Sequence, residues 1–85
     1  MARILDGTQF NLVGDQVRRY RQEAHLSQQE LSNKLELLAL YICRGSISRI
    51  EDRSRTVTDV ELCAIAHVLK VAVMDLFDDA RPFVD

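Results

Sequence analysis

The stretch LSQQEL at residues 26–31 and the stretch ISRIE at residues 47–51 decide how this chain folds. In the first stretch, Ser27 and Glu30 have the S-x-x-E spacing of a capping box. A hydroxyl and a carboxylate at that spacing each bind one of the amides that the start of a helix leaves unpaired. The pattern therefore predicts a helix that begins at Gln28.

Apolar residues recur at helical spacing after this start. The second helix is expected to run from residue 28 to about residue 38, and its apolar face carries Leu31, Leu35 and Leu38. A short third helix places Ile47 and Ile50 inward and leaves basic and polar residues outside. Two short helices with this arrangement suggest a helix-turn-helix, whose second helix fits the major groove of DNA, about 12 Å wide.

Three further segments have helical periodicity, so the chain is predicted to be all-α with five short helices. The first helix ends near His25, and its apolar stripe is Val13, Val17, Tyr20 and Ala24. The fourth begins with a second capping box, Thr58 and Glu61, and its stripe is Leu62, Ile65, Ala66 and Leu69. The last is short and carries Val73, Leu76 and Phe77.

Size and composition favour a binding protein over an enzyme. The chain has 85 residues, 47% of them apolar and 28% charged, which is the balance of one small folded domain. Such a domain has little room for a catalytic cleft, and the sequence lacks the motifs of nucleophilic or phosphate-binding enzymes. Cys63 and His67 alone make a poor zinc site. We therefore predict no catalytic activity, no cofactor, no metal and no small-molecule substrate.

The chain carries no sign of a membrane segment. Its longest apolar run, residues 37–43, has seven residues, whereas a membrane span needs about 20. The first residues lack the pattern of a signal peptide, so we expect a cytoplasmic protein. We predict an N-terminal arm (residues 1–10), a helical domain (11–78) and a C-terminal tail without regular structure (79–85).

The net charge of −2 opposes nucleic-acid binding, but the charge is unevenly distributed. Residues 14–57 carry eight basic and six acidic side chains, a net charge of +2. The remaining residues carry three basic and seven acidic side chains, a net charge of −4. Because DNA responds to the face that a protein presents, the total does not exclude DNA as a partner.

The two opening stretches, Arg21 and the apolar residues near the end of the chain together resemble the lambda-repressor-like (XRE, or Cro/CI-type) helix-turn-helix family. The matching apolar residues are Leu62, Ile65, Ala66, Leu69, Val71, Leu76 and Phe77. The resemblance covers about residues 12–77. It implies a five-helix DNA-binding domain that acts as a homodimer on double-stranded DNA and regulates transcription, as a repressor.

The resemblance also implies which residues contact DNA. Gln28 opens the second helix and is expected to contact the DNA backbone. Arg44, Gly45, Ser46 and Arg49 fall at positions of the third helix that face the major groove. Arginine can bind O6 and N7 of guanine together, which discriminates against other bases by about 1–3 kcal/mol.

Two further pairs of residues have implied roles. Arg53 and Arg55 lie in the loop after the third helix, where the family touches phosphate. Arg21 and Glu51 match a salt bridge between the first and third helices, and we interpret this pair as structural rather than DNA-contacting. For the loop arginines, a merely solvated position is the alternative.

The sequence departs from the family pattern at several positions. Eleven residues separate Leu35 from Ile47, more than the family usually has, which predicts a lengthened turn between the second and third helices. Arg53 stands where the family usually has glycine after the third helix. Ala72 stands where the family often has a serine cap.

The acidic total and the long turn keep a rival function open. This rival is a protein-interaction module, antitoxin-like or a regulatory partner, that has the helix-turn-helix shape and weak or no DNA binding. Within the DNA-binding class, an antitoxin or a restriction-modification controller is also compatible with the sequence.

Two apolar segments could form the expected homodimer, because exposed apolar clusters usually have partners. The favoured segment lies near the C-terminus and comprises Val71, Val73, Met74, Phe77, Phe83 and Val84. The rival segment is residues 37–42 in the lengthened turn.

Overall fold

The structure is a computed structural model that describes residues 3–4, 10–77 and 83–84. Within these ranges the chain forms four α-helices, α1 (Gly14–Glu23), α2 (Gln28–Glu36), α3 (Arg44–Glu51) and α4 (Asp59–Leu69). The expected last helix is a 3-10 helix, Val73–Leu76. The helical architecture is therefore confirmed, whereas the count of five α-helices is not.

The two ends of the chain form a short antiparallel ribbon that the sequence did not predict. Strand β1 (Arg3–Ile4) pairs with strand β2 (Phe83–Val84), and Arg3 lies opposite Val84. The expectation of a tail without regular structure is wrong for these two C-terminal residues, because strand pairing across the whole chain leaves no local pattern. Residues 1–2, 5–9, 78–82 and 85 lie outside the described residues. No described helix is long and apolar enough to cross a membrane.

Both predicted capping boxes are present and start α2 and α4. The Ser27 hydroxyl accepts a bond from the Glu30 amide at 3.0 Å, and the Glu30 carboxylate accepts one from the Ser27 amide at 2.9 Å. Thr58 and Glu61 make the same two bonds at 3.1 and 2.9 Å. Each start depends on residues three apart, which is why it could be predicted from the sequence.

The α-helices end in a left-handed residue that is not glycine. These residues have φ angles between 58° and 64° and are His25, Ala39, Arg53 and Lys70. After α3, the Arg53 amide binds the Ile50 carbonyl at 3.1 Å and the Ser54 amide binds the Arg49 carbonyl at 2.9 Å. This is a Schellman motif, in which glycine is usual. Arg53 therefore makes the turn expected of the family's glycine, at a cost of about 1–2 kcal/mol for an L-residue.

The core lies where the helices meet. Its buried residues are Val13, Val17, Leu31, Leu35, Ile42, Ile47, Ile50, Ile65, Ala66, Leu69 and Leu76. Three residues predicted on apolar stripes are exposed instead, namely Ala24, Leu38 and Phe77. Each lies beyond the last residue of its helix, so the helical spacing no longer directs it inward.

The candidate dimer surfaces differ in exposure. In the C-terminal segment, Met74 and Phe77 are exposed, whereas Val71 and Val73 pack against the core. The side chains of Phe83 and Val84 lie outside the described part of the chain. In the lengthened turn, the exposed residues are Leu37, Leu38 and Tyr41.

The helix α3 is held between α1 and α2, and its contact with α1 requires glycine at position 14. A methyl group on Gly14 would overlap the carbonyl oxygen of Ile50 and lie 2.9 Å from that of Glu51. The first turn of α1 thus rests directly on the last turn of α3.

The two helical glycines provide a matched test of this packing. Gly14→Ala should lower the free energy of unfolding by about 1–3 kcal/mol, because the added methyl group forces the helices apart. Gly45→Ala should raise it by about 0.5–1 kcal/mol, because the site is open and alanine favours helix. Urea denaturation of both variants measures the difference, and equal effects would contradict the close approach at position 14.

Candidate nucleic-acid interface

The helix α3 presents its predicted outer face to solvent. Ile47 and Ile50 are buried in the core, so the opposite side of the helix faces outward. The exposed residues of α3 are Arg44, Gly45, Ser48 and Arg49, and Ser46 is half-buried beside them. The four predicted positions of the recognition helix therefore lie together.

The guanidinium groups on α3 have no carboxylate partner among the described residues. Arg44 makes no hydrogen bond or ion pair there, and Arg49 donates one bond, to the Ser46 hydroxyl at 3.1 Å. The only carboxylate of α3 belongs to Glu51, which is buried. The outer face of α3 is thus cationic and open.

The start of α3 carries an exposed cysteine. Cys43 is the N-cap residue, and its thiol donates to the Ser46 hydroxyl at 3.4 Å. The hydrogen bond with the Ser46 side chain is the main reason why the pKa of Cys43 is lowered from its ordinary value, and Arg49 adds a smaller effect. Cys43 is a free thiol, and its side chain is exposed.

Gln28 borders the same face from the first position of α2. With Arg44, Gly45 and Ser48 it lines a cleft of about 220 Å³. Its side-chain amide donates to Glu51 at 3.1 Å, which fixes the orientation of the amide group. One hydrogen of the –NH₂ group and the carbonyl oxygen remain available to a ligand.

A buried ion pair holds this face in place. The Nε atom of Arg21 lies 2.6 Å from Oε2 of Glu51, and its Nη2 atom lies 3.1 Å from Oε1. Arg21 also donates to the Leu26 carbonyl at 2.7 Å. Because Gln28 shares the same carboxylate, the network joins α1, α2 and α3. The structure thus places Arg21 and Glu51 in a bidentate salt bridge between the first and third helices.

Arg53 points toward the start of α1 rather than into the cleft beside Gln28. Its Nη2 atom lies 2.6 Å from the Asp15 carboxylate, and the Arg53 side chain is largely buried. Asp15 lies in the first turn of α1, where its negative charge also interacts favourably with the helix dipole.

Arg55 is held in a second ion pair. It binds both oxygens of Glu61, at 3.0 and 2.8 Å. The hydrogen bonds from Arg55 are the main reason why the pKa of Glu61 lies below its ordinary value. Since Glu61 also caps α4, Arg55 ties the loop to that helix. The predicted phosphate contacts of both loop arginines would therefore compete with carboxylates of the protein itself.

Sequence reasoning missed Asn11, which organises the start of α1. Its side-chain oxygen accepts bonds from the amides of Val13 and Gly14, at 3.0 and 2.9 Å. Its amide donates to the carbonyls of Ile50 and Arg55, at 3.0 and 2.8 Å. An asparagine shortly before a helix is a known capping signal, but its contacts with α3 and the loop lie about forty residues away and leave no local pattern.

Solved structures resemble this fold, whereas no protein-family model and no curated protein matches the chain. The structure of SinR, the master regulator for biofilm formation, in complex with DNA is 28% identical, with a TM-score of 0.67. The match covers 78% of this chain and 98% of that one. The restriction-modification controller protein C.AhdI from Aeromonas hydrophila is 26% identical over 78% of this chain and 91% of its own, with a TM-score of 0.68.

A third similar structure is the complex of SinR with the SinI protein. It is 28% identical over 79% of this chain and 61% of that one, with a TM-score of 0.65. All three neighbours are helix-turn-helix regulators of the type that the sequence resembles. The predicted resemblance to the lambda-repressor-like helix-turn-helix family is thus confirmed by these similar structures.

The helix-turn-helix has an unusually long connection. Residues 37–43 separate its two helices, where a turn of about three or four residues is usual. The Leu40 amide binds the Leu35 carbonyl at 3.1 Å, and the Ser32 hydroxyl binds the Ile42 carbonyl at 2.6 Å. These bonds hold the lengthened turn against α2, so α3 keeps its position on the core.

The buried ion pair of the helix-turn-helix domain should be costly to break. Glu51→Ala leaves Arg21 buried without its partner and should lower the free energy of unfolding by about 3–5 kcal/mol. The double variant Arg21→Met with Glu51→Leu removes both charges and should recover most of that loss. Urea denaturation of the single and double variants tests this, and a loss below about 1 kcal/mol for Glu51→Ala would argue against a tightly coupled pair.

Proposed function

We propose that this protein is a sequence-specific, double-stranded DNA-binding transcriptional regulator that acts as a dimeric repressor. The observation that carries the proposal is the open cationic face of α3. Four arginines elsewhere in the described chain are paired with carboxylates, namely Arg19, Arg21, Arg53 and Arg55. Arg44 and Arg49 on the outer face of α3 have no carboxylate partner in the described residues, and Arg18 on α1 also has none.

The geometry supports DNA over other anionic partners. A single α-helix fits the major groove, and arginine side chains along its outer face meet the acceptors of guanine. Gln28 at the start of α2 can donate its remaining amide hydrogen to a phosphate beside the groove. We assign base contacts to Arg44 and Arg49, backbone contact to Gln28, and contact with either to Ser46. Gly45 leaves space for close approach of the DNA.

We assign the loop arginines mainly structural roles. Arg53 and Arg55 position the start of α1 and α4 through Asp15 and Glu61. Phosphate contact by either residue would have to share or break its ion pair. We assign this arrangement to the predicted helical domain, residues 11–78, with the arm (1–10) and the tail (79–85) outside it.

Dimerisation would supply the two-fold arrangement that such a domain needs on DNA. Two recognition helices about 34–36 Å apart reach successive major grooves. The exposed Met74 and Phe77 surface is the dimer contact that we favour. SinR bound to DNA and the controller C.AhdI are regulators of this fold, which supports regulation of transcription without catalysis, in the cytoplasm.

A protein-interaction module is the second candidate function. One similar structure is a complex between two proteins, SinR and SinI. The exposed apolar residues of the lengthened turn, Leu37, Leu38 and Tyr41, would suit a protein partner. Absence of binding to any duplex at low salt would favour this candidate over DNA.

Arg49→Ala should weaken binding to the preferred site by about 1–3 kcal/mol and relax the preference at one base position. Arg18→Ala is the matched control, because Arg18 is an exposed arginine of α1 without an ion-pair partner in the described residues. Titration of duplexes selected from a random pool measures both variants. Equal losses on all sequences would show that Arg49 meets only phosphate.

Arg55→Ala should lower the free energy of unfolding by about 1–3 kcal/mol, because it leaves the buried Glu61 carboxylate without its guanidinium partner. The pKa of Glu61 is lowered in the folded protein, so this stabilisation is present above the unfolded-state pKa and is lost as pH falls through the folded-state pKa. Wild type and variant should therefore converge in stability in acid. The salt dependence of DNA binding should stay unchanged, whereas a slope flatter by about one unit would assign Arg55 to a phosphate.

A further inference from the structure

Tyr41 is the most prominent side chain of the lengthened turn that no intramolecular contact explains. It is 77% exposed and makes no hydrogen bond or ring contact with the described residues. Its neighbours are fixed, because Leu40 packs against the core and Ile42 is only 3% exposed. The aromatic ring is therefore held outside by a backbone that is anchored on both sides.

Tyr41 lies beside the start of α3, because it lines the same cleft as Cys43, the N-cap residue of that helix. Residues 40–43 alternate between inward and outward positions, and Cys43 has extended backbone angles of −70° and 162°. The shared cleft places Tyr41 and Cys43 on one side of this segment. Cys43 contacts Ser46, and Ser46 accepts a bond from Arg49. Tyr41 thus begins a row that continues through Cys43 and Ser46 to Arg49.

The residues around Tyr41 favour contact with an apolar group over contact with a phosphate. Tyr41 and Cys43 line a cleft of about 220 Å³ with Ser32, Glu36 and Ile42. The Glu36 carboxylate would repel a phosphate group there. An apolar edge of a base is compatible with this cleft, and in the major groove that edge is the methyl group of thymine.

We propose that Tyr41 is a specificity-determining residue that places its ring against a thymine methyl group, next to the base pairs faced by Arg44 and Arg49. This inference rests on the proposed DNA binding and adds a position that α3 alone does not read. The lengthened turn then widens the recognised sequence instead of merely connecting two helices.

The test removes the methyl group and the ring separately. A preferred duplex is first selected with the wild-type protein from a random pool. Each thymine in it is then replaced by deoxyuridine, which differs only by the methyl group. At one flanking position the wild-type protein should lose about fourfold in affinity, because the burial of one methyl group is lost. Tyr41→Ala should lose a similar factor on the thymine duplex and show no further loss on the deoxyuridine duplex.

Two variants distinguish the aromatic ring of Tyr41 from its hydroxyl group and from the rest of the connection. Tyr41→Phe retains the ring and should keep both the affinity and the sensitivity to deoxyuridine. Leu37→Ala removes a side chain that is 85% exposed in the same connection but does not line the cleft. It should leave the base preference unchanged. Thermal unfolding by circular dichroism verifies that all variants are folded.

Several outcomes would overturn the inference while leaving the proposed function intact. These are an unchanged base preference in Tyr41→Ala, an equal loss on every sequence, and a loss in Tyr41→Phe as large as in Tyr41→Ala. Failure of the wild-type protein to select any duplex would instead contradict the proposed function itself.

Discussion

The salt bridge between Arg21 and Glu51 is the interaction on which the arrangement of the helices depends. It is buried and joins α1 to α3, and Gln28 connects α2 to the same carboxylate. Burying two charges costs free energy that their attraction does not always recover, so the pair contributes more to a unique geometry than to stability. The main effect of the pair is to fix the position of α3. The third helix can sit in one orientation relative to the first two, and its outer side is defined by that orientation.

The distribution of ion pairs explains how an acidic protein can present a cationic surface. Asp15 and Glu61 bind arginines that follow α3 in the chain, and Glu51 is turned into the interior. These three carboxylates are thus paired with arginines within the protein. The arginines on the outer side of α3 have no such contact in the described residues, and their positive potential extends into solvent. The net charge of the chain is a poor guide to this local field.

The sequence predicted those features that depend on neighbouring residues. The starts of α2 and α4 are encoded by Ser27 with Glu30 and by Thr58 with Glu61, and the buried side of α3 by two isoleucines. Features that join distant segments gave no such signal. The carboxylate partner of Arg55, the contacts of Asn11 with α3 and the pairing of the two chain ends belong to this class.

The ends of the helices were hard to predict for a different reason. A glycine usually marks the left-handed residue after a helix, but here Ala39 and Lys70 occupy such positions. The consequence for α2 was an expected end near residue 38 instead of Glu36. The ion pairs of the two loop arginines could not be predicted, because a family pattern describes positions and the acid that binds each arginine is specific to this chain.

The local motifs at both ends of α2 and α4 also bear on the order of events during folding. Their hydrogen bonds connect residues no more than five positions apart, so loops of a few residues suffice to form them. The bond between Arg21 and Glu51 closes a loop of thirty residues and carries a larger entropic cost. The helix ends therefore form at a lower entropic cost than the contact that fixes the angle between α1 and α3. Once closed, the ion pair fixes the orientation of α3 relative to α1.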